Sequence, residues 1–197
     1  MEIPEKGQMS SEYLALADER VNYSLAGYGQ PEDYGYNFKE WVSPYTKGAH
    51  QLGGIAIVLQ DWSSHDGLEH KVDQSVQEYG RTISLKTNLR LEELLKRVFS
   101  VGIKDVYATN VFPFIKPDGI STHIPLRLIK QVASKFVAKE LQLAKPKIIL
   151  ALGNAAHYGL IKSGIECIHV PHPAARIGSI DQHEKRWIKS LKQKGII

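Results

Sequence analysis

The chain carries a single cysteine, Cys167, in 197 residues. A lone cysteine rules out an intrachain disulfide and any cysteine-built metal or iron–sulfur centre. It stands in the apolar run Ile165-Glu166-Cys167-Ile168, where a small buried strand residue is the expected role and a catalytic thiol the alternative. No apolar run reaches about 18 residues, so no membrane-spanning helix is expected. The opening Met1-Glu2-Ile3-Pro4-Glu5 lacks the basic-then-apolar pattern of a secretory signal. This points to an intracellular protein, cytoplasmic in a prokaryote. No glycine-rich phosphate loop follows a strand, because Gly53-Gly54 precede one. The Gly-x-Ser-x-Gly nucleophile elbow is missing too, as are internal repeats and low-complexity tracts.

What is present is ordinary for a globular protein. Hydrophobic residues make up 43% and charged residues 23%. The length suits one domain with a substantial core. A single domain over residues 1–197 is expected, with residues 1–50 as a leader packing on it, and a monomer. The net charge of +4 permits an anionic partner without requiring one.

Hydrophobic periodicity sets the elements. Ser11 to Asn22 reads as a helix and Tyr23 to Tyr36 as a loop. Phe38, Trp41, Val42 and Tyr45 suit a short amphipathic helix. Gly54 to Leu59 is nearly all apolar, the mark of a strand buried on both faces. A polar loop follows from Gln60 to about Asn88. Leu91, Leu94, Leu95 and Val98 then recur at helical spacing, with Gly102 as the stop. Asp105 to Phe112 is a second strand. A long helix runs from about Pro125 to Leu143, with Pro146 at its exit. Lys147 to Leu152, a helix over Ala155 to Lys162, a strand over Ile165 to Val170 and a helix over Asp181 to Gln193 complete the chain. Strands alternating with helices predict an α/β fold of three layers, α/β/α, with a central, mostly parallel four-stranded sheet.

Such sheets bind ligands at the carboxyl ends of their strands. Asp61 follows strand one, Asn110 stands at the end of strand two, Gly153-Asn154 follow strand three and His172 follows strand four. Asp orients or activates water. Asn presents a donor and an acceptor to an amide-like edge, and His donates to a developing anion. Together they suit hydrolysis of a bond whose leaving group is a planar, imide-like anion. Singly, each has a structural reading: Asp61 capping a turn, Asn110 satisfying loop backbone, His172 packed before its proline. Their conjunction at three strand ends favours the functional one. His65, His123 and His169 are alternatives to His172, with His169 expected to pack against the sheet. The basic terminal helix, with Lys185, Arg186, Lys189, Lys192 and Lys194, reads as a solvated face.

Four motifs in order resemble the uracil-DNA glycosylase superfamily. They are Leu59-Gln60-Asp61, Thr109-Asn110-Val111-Phe112-Pro113-Phe114, Leu152-Gly153-Asn154-Ala155-Ala156 and His172-Pro173-Ala174-Ala175-Arg176. They span residues 54 to 176. Leu59 replaces the family's usual glycine, and Trp62-Ser63 its Pro-Tyr pair, whose tyrosine blocks the thymine methyl. With one cysteine, the chain lies outside the iron–sulfur branches, and its His-Pro-x-x-Arg tail is nearest the single-strand-selective branch. The resemblance implies a glycosylase-like fold and a DNA glycosylase of base excision repair, acting on DNA with a damaged base and needing no metal or cofactor. The base is flipped out of the stack. Asp61 and His172 are the expected catalytic residues. Gln60, Asn110 and Trp62 are the expected base-binding residues, with Tyr79 as a stacking aromatic. Arg176, Lys116 and Ser121 are the expected DNA contacts. Two alternatives stand beside this: the same fold acting on hypoxanthine, xanthine or mismatched thymine, and a non-catalytic member that binds DNA or a free base.

Overall fold

The computed structural model describes residues 9–69 and 71–197. The residues of the signal-peptide reading therefore lie outside the described ones. Four parallel strands form one sheet in the order β2-β1-β3-β4: β1 Ile55–Asp61, β2 Tyr107–Phe112, β3 Ile148–Leu152 and β4 Ile168–Val170. The expected mostly parallel sheet is thus wholly parallel. Helices cover both faces. On one lie α1 (Ser11–Val21), α5 (Leu126–Val132), α6 (Ala138–Ala144) and α7 (Asn154–Lys162). On the other lie α4 (Lys86–Phe99) and α8 (Ile180–Gln193). Between β1 and α4 are two short helices, α2 (His65–Leu68) and α3 (Gln74–Tyr79). No helix among the described residues is long and apolar enough to cross a membrane.

Side-chain alternation along the strands sorts the core into two halves. Ala56, Val58, Tyr107, Val111 and Ala151 pack under α1, α5, α6 and α7. Ile57, Leu59, Ala108, Leu150, Leu152, Ile168 and Val170 pack against Leu91, Leu94 and Leu95 of α4 and Trp187 and Leu191 of α8. The long helix predicted from Pro125 is one run over 126–144, opened by a wide π turn at Ala133–Val137. Lys145, in the left-handed conformation at φ 49°, ends it.

Three local expectations are corrected. Phe38, Trp41, Val42 and Tyr45 are buried but form no amphipathic α-helix; only Tyr45 is helical, within a 3₁₀ turn at Pro44–Gly48. The reason is Arg20. Its guanidinium is fully buried and donates to the carbonyls of Phe38 (2.7 Å) and Trp41 (2.9 Å) while pairing with Glu32 at 2.8 Å. The segment wraps around that cation in a single turn, in which the Phe38 carbonyl also accepts the Trp41 N–H at 2.9 Å. β1 runs on through Gln60 and Asp61, which are strand residues rather than the start of a loop. β4 begins at Ile168, so Cys167 is buried just outside it, a free thiol raised to about 11 by burial.

One buried acid sits between the π turn's helix and the sheet. Glu140 of α6 accepts from Tyr107 (2.8 Å) and Thr109 (2.7 Å) of β2. Thr46 Oγ1 lies 3.2 Å from Glu140 and 2.8 Å from the Ala108 carbonyl, to which it donates. A protonated Glu140 can then donate to that hydroxyl. Burial outweighs these hydrogen bonds and pushes its pKa up to about 7 from an ordinary 4.5. The folded state therefore holds this proton more tightly than the unfolded chain. The resulting stability is fully present below about pH 4.5 and lost as the pH rises through about 7. Urea midpoints of the wild type should fall across that window, and Glu140→Gln, which cannot ionise, should remove most of the fall.

Candidate functional site

The carboxyl ends of the strands open into one cleft of about 1510 Å³. Gln60, Asp61 and Trp62 line it from β1 and the loop after it, Lys116 from the loop after β2, Gly153 to Ala155 from the turn after β3, and His172 from the loop after β4. Asp61 and His172, predicted from separate strand ends, therefore share one space.

Asp61 is 12% exposed and both its oxygens are engaged. The Gln60 carboxamide donates to Oδ1 at 2.7 Å, and the Lys116 ammonium stands 3.0 Å from Oδ2. Each oxygen keeps a lone pair for a water or a substrate group. Lys116 is 2% exposed, which overturns its expected part as a DNA backbone contact: it is spent inside the fold. Its side chain also donates to the Ile120 carbonyl.

The neutral ring of His172 is held in one tautomer, and its pKa is lowered. Burial lowers its pKa from the ordinary 6.5; Asp61 pulls it back and His183 lowers it further. Its Nδ1 accepts the Ala174 N–H at 3.1 Å, which puts the proton of the neutral ring on Nε2. The loop is tied down through alternate carbonyls. Trp187 Nε1 donates to Pro171 O (3.0 Å), Arg90 to Pro173 O (3.0 Å), and His183 Nε2, 3.1 Å away, to Ala175 O. The positioning residues Arg90, His183 and Trp187 were missed in the sequence. The last helix reads as a basic solvated face, yet His183, Trp187 and Leu191, at i, i+4 and i+8, form its buried stripe.

Asn110 departs from the strand-end expectation. It lies inside β2, is fully buried, and does not line the cleft. Its register partner Leu59, on the same face, lines the cleft in its place. The Ser43 hydroxyl donates to Asn110 Oδ1 at 2.7 Å, while Nδ2 has no partner among the described residues.

The remaining residues divide. Trp62 is on the cleft wall, its indole N–H bonded to Gly80 O at 2.7 Å and its ring edge-on to Tyr36 and Phe38. Tyr79 does not line the cleft: it lies in α3, 39% exposed, and the aromatic residues facing the cleft are Tyr36, Tyr45, Trp62 and Tyr158. Arg176 and Ser121 are exposed outside the lining. Of the alternative histidines, His123 lines the cleft. His65 is engaged elsewhere, with Tyr34 OH 2.9 Å from Nδ1 and Glu69 2.7 Å from Nε2. His169, expected to pack against the sheet, points outward and stacks on His157 at 4.7 Å. Among the described residues, no group of three or more His, Cys, Asp or Glu side chains is arranged to hold a metal ion.

No protein-family model matches the chain, and no curated protein matches it.

Gly153 connects the turn after β3 to the histidine. It adopts φ +88°, and a Cβ there would lie 3.2 Å from His172 Cβ. Gly153→Ala should cost about 1–3 kcal/mol of stability, read from denaturant midpoints, from left-handed strain. It should also shift the His172 ring resonances, since the added methyl presses on that side chain.

Proposed function

We propose that the chain is a DNA glycosylase that hydrolyses the N-glycosidic bond of uracil in DNA, as the four ordered motifs suggest. The observation that carries this is the joint placement of Asp61 and a neutral His172 in one cleft at the carboxyl edge of a parallel sheet. A flipped deoxyuridine enters the cleft, at a cost of about a few kcal/mol in unstacking. As the glycosidic bond breaks, its electron pair leaves with the base and the sugar becomes cationic. His172 Nε2–H donates to the base oxygen on which negative charge gathers. Asp61 stabilises the sugar cation and orients the water that attacks it. As the new C–O bond forms, the water's proton passes to the Asp61 carboxylate and from there to solvent, and the uracil anion takes up a proton from solvent as it leaves.

Asn110 supplies discrimination only when Leu59, which lines the cleft in its place, turns aside. Its Oδ1 retains a lone pair for the imide N–H, and its unpartnered Nδ2 is a donor for the neighbouring base carbonyl. Cytosine reverses one of these sites. A buried donor without an acceptor costs about 1–3 kcal/mol, which a correct base recovers. Leu59 has to turn aside for the base to reach it, an accommodation that the family's usual glycine would not need.

One feature favours the second reading, another lesion on the same scaffold. The cleft is open, and nothing in its lining sets a size limit that would exclude hypoxanthine or xanthine. Trp62, fixed by its indole N–H, stands beside Ser63 where the family's Pro-Tyr pair would be.

Oligonucleotides containing uracil, hypoxanthine, xanthine or a mismatched thymine, treated with enzyme and then alkali, separate these readings. Strand cleavage at uracil is expected. Cleavage confined to the purine lesions assigns the second reading, and binding without cleavage a non-catalytic member. Asp61→Asn and His172→Ala should each lower single-turnover excision by about 10²–10³-fold, the scale for losing one charge-stabilising group. Because His172 acts neutral and burial lowers its pKa, the acid limb of the pH–rate profile should have its midpoint below 6.5, the ordinary histidine value.

A further inference from the structure

Lys116 is the buried charge whose place the sequence does not account for. Its backbone is gripped by the loop after β1: its N–H donates to Ser63 O (3.3 Å) and its carbonyl accepts the His65 N–H (2.9 Å). Its ammonium returns to the end of that same strand, at Asp61 Oδ2, and also donates to Ile120 O at the tip of its own loop. Ile120 is 78% exposed on the cleft rim. One residue thus bonds the loop after β1 through its backbone, and the end of β1 and the rim loop after β2 through its side chain.

A cation used in this way cannot reach a phosphate. Burying an ammonium is costly unless it is paired and hydrogen-bonded, so this ion pair is held by the fold rather than left to solvent. The carboxylate is pinned from two sides, with Gln60 on Oδ1 and Lys116 on Oδ2. Its remaining lone pairs have one direction left, into the cleft.

We propose that Lys116 is a positioning residue for Asp61: it holds the carboxylate aimed into the cleft while fixing the rim loop that carries Ile120, and it makes no contact with DNA. The inference rests on the glycosylase reading for its kinetic consequence, but the ion pair itself is tested independently of turnover.

Lys116→Ala, Lys116→Met and Lys116→Arg are compared with the wild type on a uracil duplex and single strand. Single-turnover excision should fall by about 100-fold in the Ala and Met variants, comparable to losing one charge-stabilising group. Added ethylammonium should restore at least about tenfold of this in Lys116→Ala, whose vacated space admits the amine, and Lys116→Arg should retain part of the rate. The slope of log Kd against log salt should not change. A phosphate-contacting lysine would instead reduce that slope by about 1 with excision per bound complex intact, and that result overturns the proposal. Loss of rate with no amine rescue and no retention by arginine also overturns it, since that pattern marks a merely structural lysine. In parallel, the carboxyl-carbon resonance of Asp61 at neutral pH should move in folded Lys116→Met while that of Glu140 stays in place. An unmoved Asp61 resonance refutes the ion pair even if the wild type excises no base. Absence of excision by the wild type from every lesion, with the Asp61 resonance moved, refutes the glycosylase reading and leaves the positioning of Asp61 standing.

Discussion

β1 is paired in parallel with β2 on one side and β3 on the other, in register over Ala56 to Val58 with both neighbours. Parallel pairing turns every strand the same way, so all four carboxyl ends emerge at one edge, and the connections there must part to reach helices on opposite faces. The cleft is the space where they part. Alternation along β1 then places Ile57, Leu59 and Asp61 on the face covered by α4 and α8, with Asn110 beside Leu59. The positions of the candidate groups follow from this register.

The register alone would leave the loops loose. They are held by buried polar groups that each satisfy main-chain atoms. Arg90, His183 and Trp187 hold the His172 loop by its carbonyls, Lys116 joins the loops after β1 and β2, and Arg20 gathers the segment before the 3₁₀ turn at Pro44. Rigid support of this kind fixes the candidate groups within tight limits, which loops bonded only to water cannot do. The same region carries the costs: an Asn110 Nδ2 and a His183 Nδ1 without partners among the described residues and, deeper, a carboxyl at Glu140 whose pKa burial pushes up to about 7. Such unfavourable groups are tolerated where the surrounding packing over-determines the structure.

Much of the fold was legible because short apolar runs bounded by glycine and proline have few alternatives to buried parallel strands. Asp61 and His172 were legible for a related reason: in a doubly wound sheet, position after a strand is already position at the ligand edge. Asn110 was only half legible. Its place in the second strand was right, but whether a strand residue faces the cleft or the packed interior depends on where the strand stops, and β2 continues to Phe112. Tyr79 and Lys116 were misread because a loop's length does not say how it folds back. α3 turns Tyr79 outward, and the grip of Ser63 and His65 on Lys116 turns its ammonium inward.

By itself, the sequence determined the α/β class, the four strands and the two groups, Asp61 and His172, that any such sheet would bring to its ligand edge, since local periodicity and strand order suffice for these. Only the tertiary structure decided which charges are buried and paired. Ion pairs such as Asp61 with Lys116, 55 positions apart in the chain, and carbonyl ties such as Arg90 to Pro173, 83 apart, arise from packing between separate elements. No local pattern encodes them, because each partner's own neighbourhood is equally compatible with an exposed side chain.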